Sequence, residues 1–332
     1  MIGAAGAEPV SMTSRARFLG AIAAGSAASA LPTAIFAQAR KTLTVGYVPS
    51  TLFAPVFVAV ERGYLRDAGF DANLTPITAG ADSMSLVAQG QIDVAAAALS
   101  AAFYNAVNRG LEVKFVASTG YQPRRGRPSA LLIRQDLYEG GLRVSGLKGK
   151  KIGWIGNNGA ASAYYVARII RKENLRLTDI ESLNIPNPEQ QSALEHKAID
   201  ALFTSAPFSD EFQQKRLATI VASPPPGISG SGVFFGPALL RNHENAGAVM
   251  TALRKAAAEI AGNGFYAPAN LEAYAKYTKQ PVDVIKAAPR YDFKPDLRID
   301  QGTLEDMQRE FLADNILTYK PPLNEVRLVA RF

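Results

Sequence analysis

Five loops carry the residue types that could do chemistry in this chain: 49–53, 78–83, 99–101, 156–162 and 204–208. All are rich in Gly, Ser, Thr and Asn, and each lies between a short apolar run and a helical pattern. In open α/β sheets, ligands bind beyond the carboxyl ends of strands, beside helix N-termini. Backbone N–H groups and hydroxyls there donate to an anion, and each helix dipole adds a few tenths to about 1 kcal/mol. The candidate ligand-binding residues are therefore Ser50, Thr51, Phe53, Gly80, Ala81, Ser100, Asn157, Asn158, Gly159, Ala160, Ala161, Thr204 and Ser205. Tyr121 and Phe234 join them as aromatics able to stack on a ligand ring. This set points to a small anionic head group such as a carboxylate, a sulfonate or a similar oxyanion.

Each feature also has a plain structural reading. Gly156-Asn157-Asn158-Gly159 serves equally well as a tight turn, and its spacing is not the GxGxxG of dinucleotide sites. Trp154, inside a strand-like run, reads as core. Arg124, Arg125 and Arg127 could clamp a carboxylate, although a solvated loop accounts for them more simply. Asp82 and Asp93 find no second carboxylate at a useful catalytic spacing.

The chain has no cysteine, which excludes disulfides, thiolate metal sites and thiol nucleophiles. Only His196 and His243 supply imidazole, and they fall in different predicted lobes, so neither a metal site nor a cofactor is expected. A Ser–Lys pair remains open. The net charge of +7 is modest for 332 residues, and the basic residues are dispersed apart from Arg124-Arg125-Gly126-Arg127 and Lys148 to Lys151, without the stripe and interleaved aromatics that nucleic-acid binding requires.

The elements that must position these loops occur twice. TAGADSMSLVAQGQIDVAAAALS (78–100) gives a helix with Met84, Val87 and Ala88 on one face, a stop at Gly90, and a strand from Ile92. PEQQSALEHKAIDALFTS (188–205) repeats the arrangement about a hundred residues later. The preceding strands also match, 43–47 against 151–155. Strands alternating with helices imply parallel sheets. Two such units facing each other make a cleft.

The first 39 residues read as a secretory signal peptide. Arg15 and Arg17 form a positive n-region, 18–36 is apolar and Ala-rich, and Ala37-Gln38-Ala39 supplies the cleavage pattern. The split pair Arg15-Ala16-Arg17 leaves both the general secretory route and the twin-arginine route open. The expected partition is 1–39 signal, 40–134 with 232–332 as lobe 1, and 135–231 as lobe 2. Chain crossings are placed after the strand 129–134 and around Pro224-Pro225-Pro226-Gly227. Beyond 235 the pattern is helical: 243–261, 271–277, 282–287 and 303–313.

Val45-Gly46-Tyr47-Val48-Pro49, Ala54-Pro55, Glu61-Arg62-Gly63-Tyr64-Leu65, Gly69-Phe70 and Gly90-Gln91-Ile92-Asp93-Val94-Ala95 stand in an order that resembles one family, as do Asn105-Ala106 and Arg109-Gly110. From Lys41 to about Phe235 the chain is similar to periplasmic substrate-binding proteins of ABC transporters, in the nitrate/sulfonate/taurine and thiamine-pyrimidine-like group. The resemblance implies an α/β, two-lobed type II periplasmic-binding fold, each lobe a mostly parallel sheet flanked by helices, closing on its ligand by a hinge. It implies a periplasmic monomer that hands a small anionic molecule to a permease in the inner membrane. The ligand would be a sulfonate, taurine-like or an aromatic carboxylate, the cleft aromatics tilting toward the last. Relatives on this fold include desulfinases and pyrimidine synthases that rely on Cys, which this chain lacks; a sensor for a membrane receptor would have the same sequence features.

Overall fold

The structure is a computed structural model that describes residues 39–77 and 81–332. Residues 1–38 of the expected signal peptide and the candidate Gly80 lie outside the described residues. Strand β1 (Lys41–Tyr47) pairs in parallel with β2 (Phe70–Pro76) over its whole length and with β3 (Val94–Ala98). With β4 (Lys114–Ser118) and the late strand Ser231–Phe235 they form a five-stranded sheet.

A second sheet holds β5 (Ser129–Arg134), β6 (Lys151–Trp154), β7 (Glu181–Asn184), β8 (Ala201–Ser205) and β9 (Ala218–Ala222). Numbering Ser231–Phe235 as β10, the strand orders are β2-β1-β3-β10-β4 and β7-β6-β8-β5-β9. They are one design used twice. In each sheet one strand runs against the other four, and in each it is the first strand after a chain crossing: β5 entering the second lobe and β10 returning to the first.

This topology corrects one sequence boundary. Strand 129–134 was expected to end lobe 1, but it lies inside the second sheet, between β8 and β9. Its six residues are all buried, as a strand covered on both faces must be. The first crossing is therefore 119–128. Here the two crossings pair with each other: Thr119 N–H donates to Ser231 O at 3.0 Å, Gln122 N–H to Ile228 O at 2.9 Å, and Gly227 N–H to Gln122 O at 2.8 Å. Helix Phe208–Gln214 and strand β9 were not foreseen; β9 is mostly half-buried, so its apolar signal is diluted.

A third link joins the lobes. Helix Gln301–Ala313 packs against helix Ala161–Ile170 of the second lobe, with Arg168 Nη1 2.7 Å from Asp306 Oδ2. It also receives a 2.7 Å hydrogen bond at Leu304 O from Tyr104 of the first lobe. Leu304, Met307 and Phe311 consequently belong to one apolar cluster that includes Phe103 and Phe115 on one side and Trp154 and Tyr164 on the other. Residues 39–332 form one compact unit. Among the described residues no helix is long and apolar enough to cross a membrane.

Candidate functional site

Strand β3 ends at Ser100, which is extended (φ −153°, ψ 163°) and precedes the helix Ala101–Asn108. Strand β6 ends at Trp154 and is followed by the turn 155–160 and the helix Ala161–Ile170. These two strand ends, one from each lobe, meet. Ser100 and Ala160 form an isolated antiparallel bridge, and Ala101 N–H donates to Gly159 O at 2.8 Å. A Cβ on Gly159 would lie 2.8 Å from Ala101 Cβ and 3.2 Å from Ile316 Cγ2, so only glycine permits this approach.

Around the contact lies a cavity of about 730 Å³, lined from both lobes. Its walls are Ala98–Ala102 and Asn105 on one side, and Trp154, 156–161 and 182–184 on the other, with Ile316 from the C-terminal segment. The sequence placed Ser100, Asn157, Asn158, Gly159, Ala160 and Ala161 in one site, and all six line this cavity.

The turn is held by two side-chain amides, one its own and one from the end of β7. Asn157 Oδ1 accepts from Gly159 N–H at 2.8 Å, and Asn184 Oδ1 accepts from Gly156 N–H at 2.7 Å. Gly156 has φ +91°, a left-handed conformation that favours glycine. With their oxygens engaged, the NH₂ groups of Asn157 and Asn184 remain as donors. The first-turn N–H groups of helix 161–170 add others, since they have no intrahelical acceptor. Ser100 Oγ is buried and has no hydrogen-bond partner. Among the described residues the lining includes no Asp, Glu, Lys, Arg or His. The described walls are therefore rich in neutral donors and carry no charged side chain, which suits a group with several acceptor oxygens.

The remaining predicted residues are placed elsewhere. Ser50 accepts from Leu52 N–H at 3.3 Å and caps the short turn Thr51–Phe53. Phe53 is fully buried in the first-lobe core, and Phe234 is fully buried against Phe103 and Phe115, with ring centroids 5.1 Å away in each case. Neither can stack on a ligand, and for these two the expectation is corrected: apolar aromatics next to a strand end fill the core first. Ala81 opens the helix Ala81–Ala88.

Thr204 donates to Gln190 Oε1 at 2.8 Å, inside the second lobe. Ser205 joins a buried polar chain at the crossing, in which Tyr291 Oη lies 3.2 Å from Ser205 Oγ and 3.0 Å from Ser129 Oγ. Gln122 Nε2 donates to that same Ser129 at 3.1 Å. Burial raises the Tyr291 and Tyr165 hydroxyls above the ordinary tyrosine value, so both stay protonated. Tyr121 is buried and donates from its hydroxyl to Arg298 O, away from the inter-lobe cavity.

Sequence reasoning missed Asn184 and Ile316. The carboxyl-end rule that chose the other loops would have reached Asn184 at the end of β7. Nothing in the local pattern marks Ile316, which arrives from the C-terminal segment. Among the described residues no group of three or more His, Asp or Glu could hold a metal ion.

Duplicated mixed sheets, two paired crossings and a ligand-sized cavity between strand ends define a two-lobed α/β protein of the periplasmic-binding type. The chain belongs to the NMT1/THI5-like family, whose model matches residues 50–267. Among solved structures it is similar to the alkanesulfonate-binding protein SsuA from Xanthomonas axonopodis pv. citri bound to MOPS (18% identity, TM-score 0.66, covering 88% of this chain and 98% of that one). It is also similar to the periplasmic nitrate-binding protein NrtA from Synechocystis PCC 6803 (12% identity, TM-score 0.62, 87% and 84%). A third is a cysteine-to-serine mutant of DszB in complex with biphenyl-2-sulfinic acid (16% identity, TM-score 0.61, 88% and 97%). No curated protein matches the sequence.

Proposed function

We propose that this protein is a non-enzymatic solute receptor that captures a small organic anion between its lobes. The ligand class is a sulfonate, taurine-like or an aromatic carboxylate, and the liganded form docks on an ABC-transporter permease in the inner membrane. Export by the N-terminal segment would place it in the periplasm as a monomer. The carrying observation is the donor set of the inter-lobe cavity: Ser100 Oγ without a partner, the amide NH₂ groups of Asn157 and Asn184, and a helix N-terminus. The similarity to alkanesulfonate- and nitrate-binding proteins supports the same class.

The similarity to DszB favours a second reading, an enzyme on this fold. Against it stand the absence of any cysteine and, among the described cavity-lining residues, of any acid or base. A thermal-shift panel of alkanesulfonates, taurine, nitrate, aromatic carboxylates and pyrimidines, with product analysis, separates the two. A ligand at 100 times its Kd stabilises by about 2.7 kcal/mol. A shift with the compound recovered intact supports the receptor; turnover overturns it. The shift should vanish in Ser100→Trp and Asn158→Trp, and an unchanged shift in both would move the ligand elsewhere.

A further inference from the structure

The hinge carries a second cavity, of about 940 Å³, on different residues from the first. Both crossings contribute to its wall, through 121–126 and 226–227, and the segment 289–294 closes it with Tyr266. Its chemistry is the reverse of the inter-lobe cavity. Arg124, Arg125, Arg290 and Lys294 line it, and Asp292 is the sole carboxylate among the lining residues, leaving three positive charges in excess.

These cations are not consumed by the fold. Among the described residues, Arg124 and Arg125 have no hydrogen bond or ion pair. Arg290 spends one N–H on Gly262 O at 2.6 Å and lies beside the Tyr266 ring, 5.7 Å from its centroid, which holds it in place with most of its donors free. Lys294 sits over Tyr121, 4.7 Å from the ring centroid. Tyr121 in turn is fixed, since its backbone N–H and C=O exchange 2.9 Å bonds with Asp292.

Like charges gathered in one concavity repel one another unless a counter-anion is present, and concave walls focus their field. A monoanion would leave most of that excess uncompensated. Several guanidiniums arriving from separate segments match the tetrahedral oxygens of a multivalent oxyanion. We propose that this hinge cavity is a binding site for a phosphate-class oxyanion, held by Arg124, Arg125 and Arg290 with Lys294 supplying further charge.

The test is calorimetric titration of the protein with inorganic pyrophosphate at constant ionic strength. One saturable site is expected, weakened at least tenfold in Arg124→Ala/Arg290→Ala and less in Arg124→Lys/Arg290→Lys. The Asn158→Trp variant, which blocks the other cavity, should titrate like the parent. Loss of binding in Asn158→Trp instead would put the anion between the lobes and overturn the hinge site, without harming the receptor reading. Equal affinity in the Arg124→Ala/Arg290→Ala variant, at an unchanged melting temperature, would also overturn it, as would the absence of saturation at millimolar pyrophosphate. Co-sedimentation with phosphatidylglycerol vesicles distinguishes the source. Binding that the double variant abolishes identifies a lipid phosphate, and pyrophosphate binding without sedimentation identifies a free anion.

Discussion

Ser100 and Gly159 both lie where the lobes touch, and under the proposed function each would set a ligand's fit in a different way. A buried hydroxyl without a partner costs roughly 1–3 kcal/mol, which a ligand oxygen would relieve. Ser100→Ala should therefore leave the unliganded melting temperature unchanged or slightly higher, while weakening the ligand identified by the panel roughly tenfold or more. A variant that lost stability and kept its affinity would mean that the hydroxyl serves the fold. Gly159 acts through space, because its Cβ position is already taken by Ala101 and Ile316. Gly159→Val should cost about 1–3 kcal/mol by overpacking or force the lobes apart there, so affinity falls in titration. Six of the fifteen candidate residues line one cavity, and that grouping was legible because strand-end loops before helices are a local pattern. Phe53 and Phe234 were misread because aromatic chemistry does not tell which face of the backbone is buried.

Helix Gln301–Ala313 shows how an element can be found and its role missed. The sequence places its start at Thr303, with Glu305 and Asp306 as first-turn acids. The structure starts it earlier: Asp300 is the N-cap and accepts from Thr303 N–H at 3.1 Å, while the Thr303 hydroxyl donates to Asp300 at 2.6 Å. Asp306 is thereby freed for another task, accepting from Tyr164 at 2.8 Å and Arg168 at 2.7 Å in the opposite lobe. No local rule could show this, because the partners are about 140 residues distant. Burial by itself would raise the Asp306 carboxyl, but the Tyr164 hydroxyl, Arg168 and Arg309 outweigh it and leave its pKa below the ordinary carboxylate value. A depressed folded pKa gives stability that is fully present above the unfolded value of about 3.9. That stability is lost as pH falls through the lower, folded value. Asp306→Asn should cost about 1–3 kcal/mol at pH 7 in denaturant titrations, since it leaves a half-buried Arg168 uncompensated. The gap between variant and parent should narrow below about pH 4; a gap that persists at pH 3 would show that shape, not charge, holds the helix.

At the scale of the molecule, the duplicated pattern of strand, helix and strand made two lobes readable, because each repeat builds a sheet of the same order. Where the chain changes lobe was not readable from composition. Strand 129–134 is apolar in either sheet, and only its pairing with Ala201–Ser205 decides the matter. The same long-range organisation predicts how the protein unfolds. Two lobes joined only by two crossings would be expected to melt separately, as multi-domain chains often do. Here one apolar cluster runs from Phe103 and Phe115 through Leu304, Met307 and Phe311 to Trp154 and Tyr164, so neither lobe can lose its core without exposing the other's. Calorimetry should give one transition whose van't Hoff and calorimetric enthalpies agree. Truncating the shared cluster by Met307→Ala should lower stability by about 2–5 kcal/mol, the cost of a buried cavity, and split that transition if helix 301–313 is what couples the lobes. Two transitions in the parent protein would show that the crossings, not helix 301–313, carry the contact between lobes. Hinge motion would then be freer than a core shared through helix 301–313 allows.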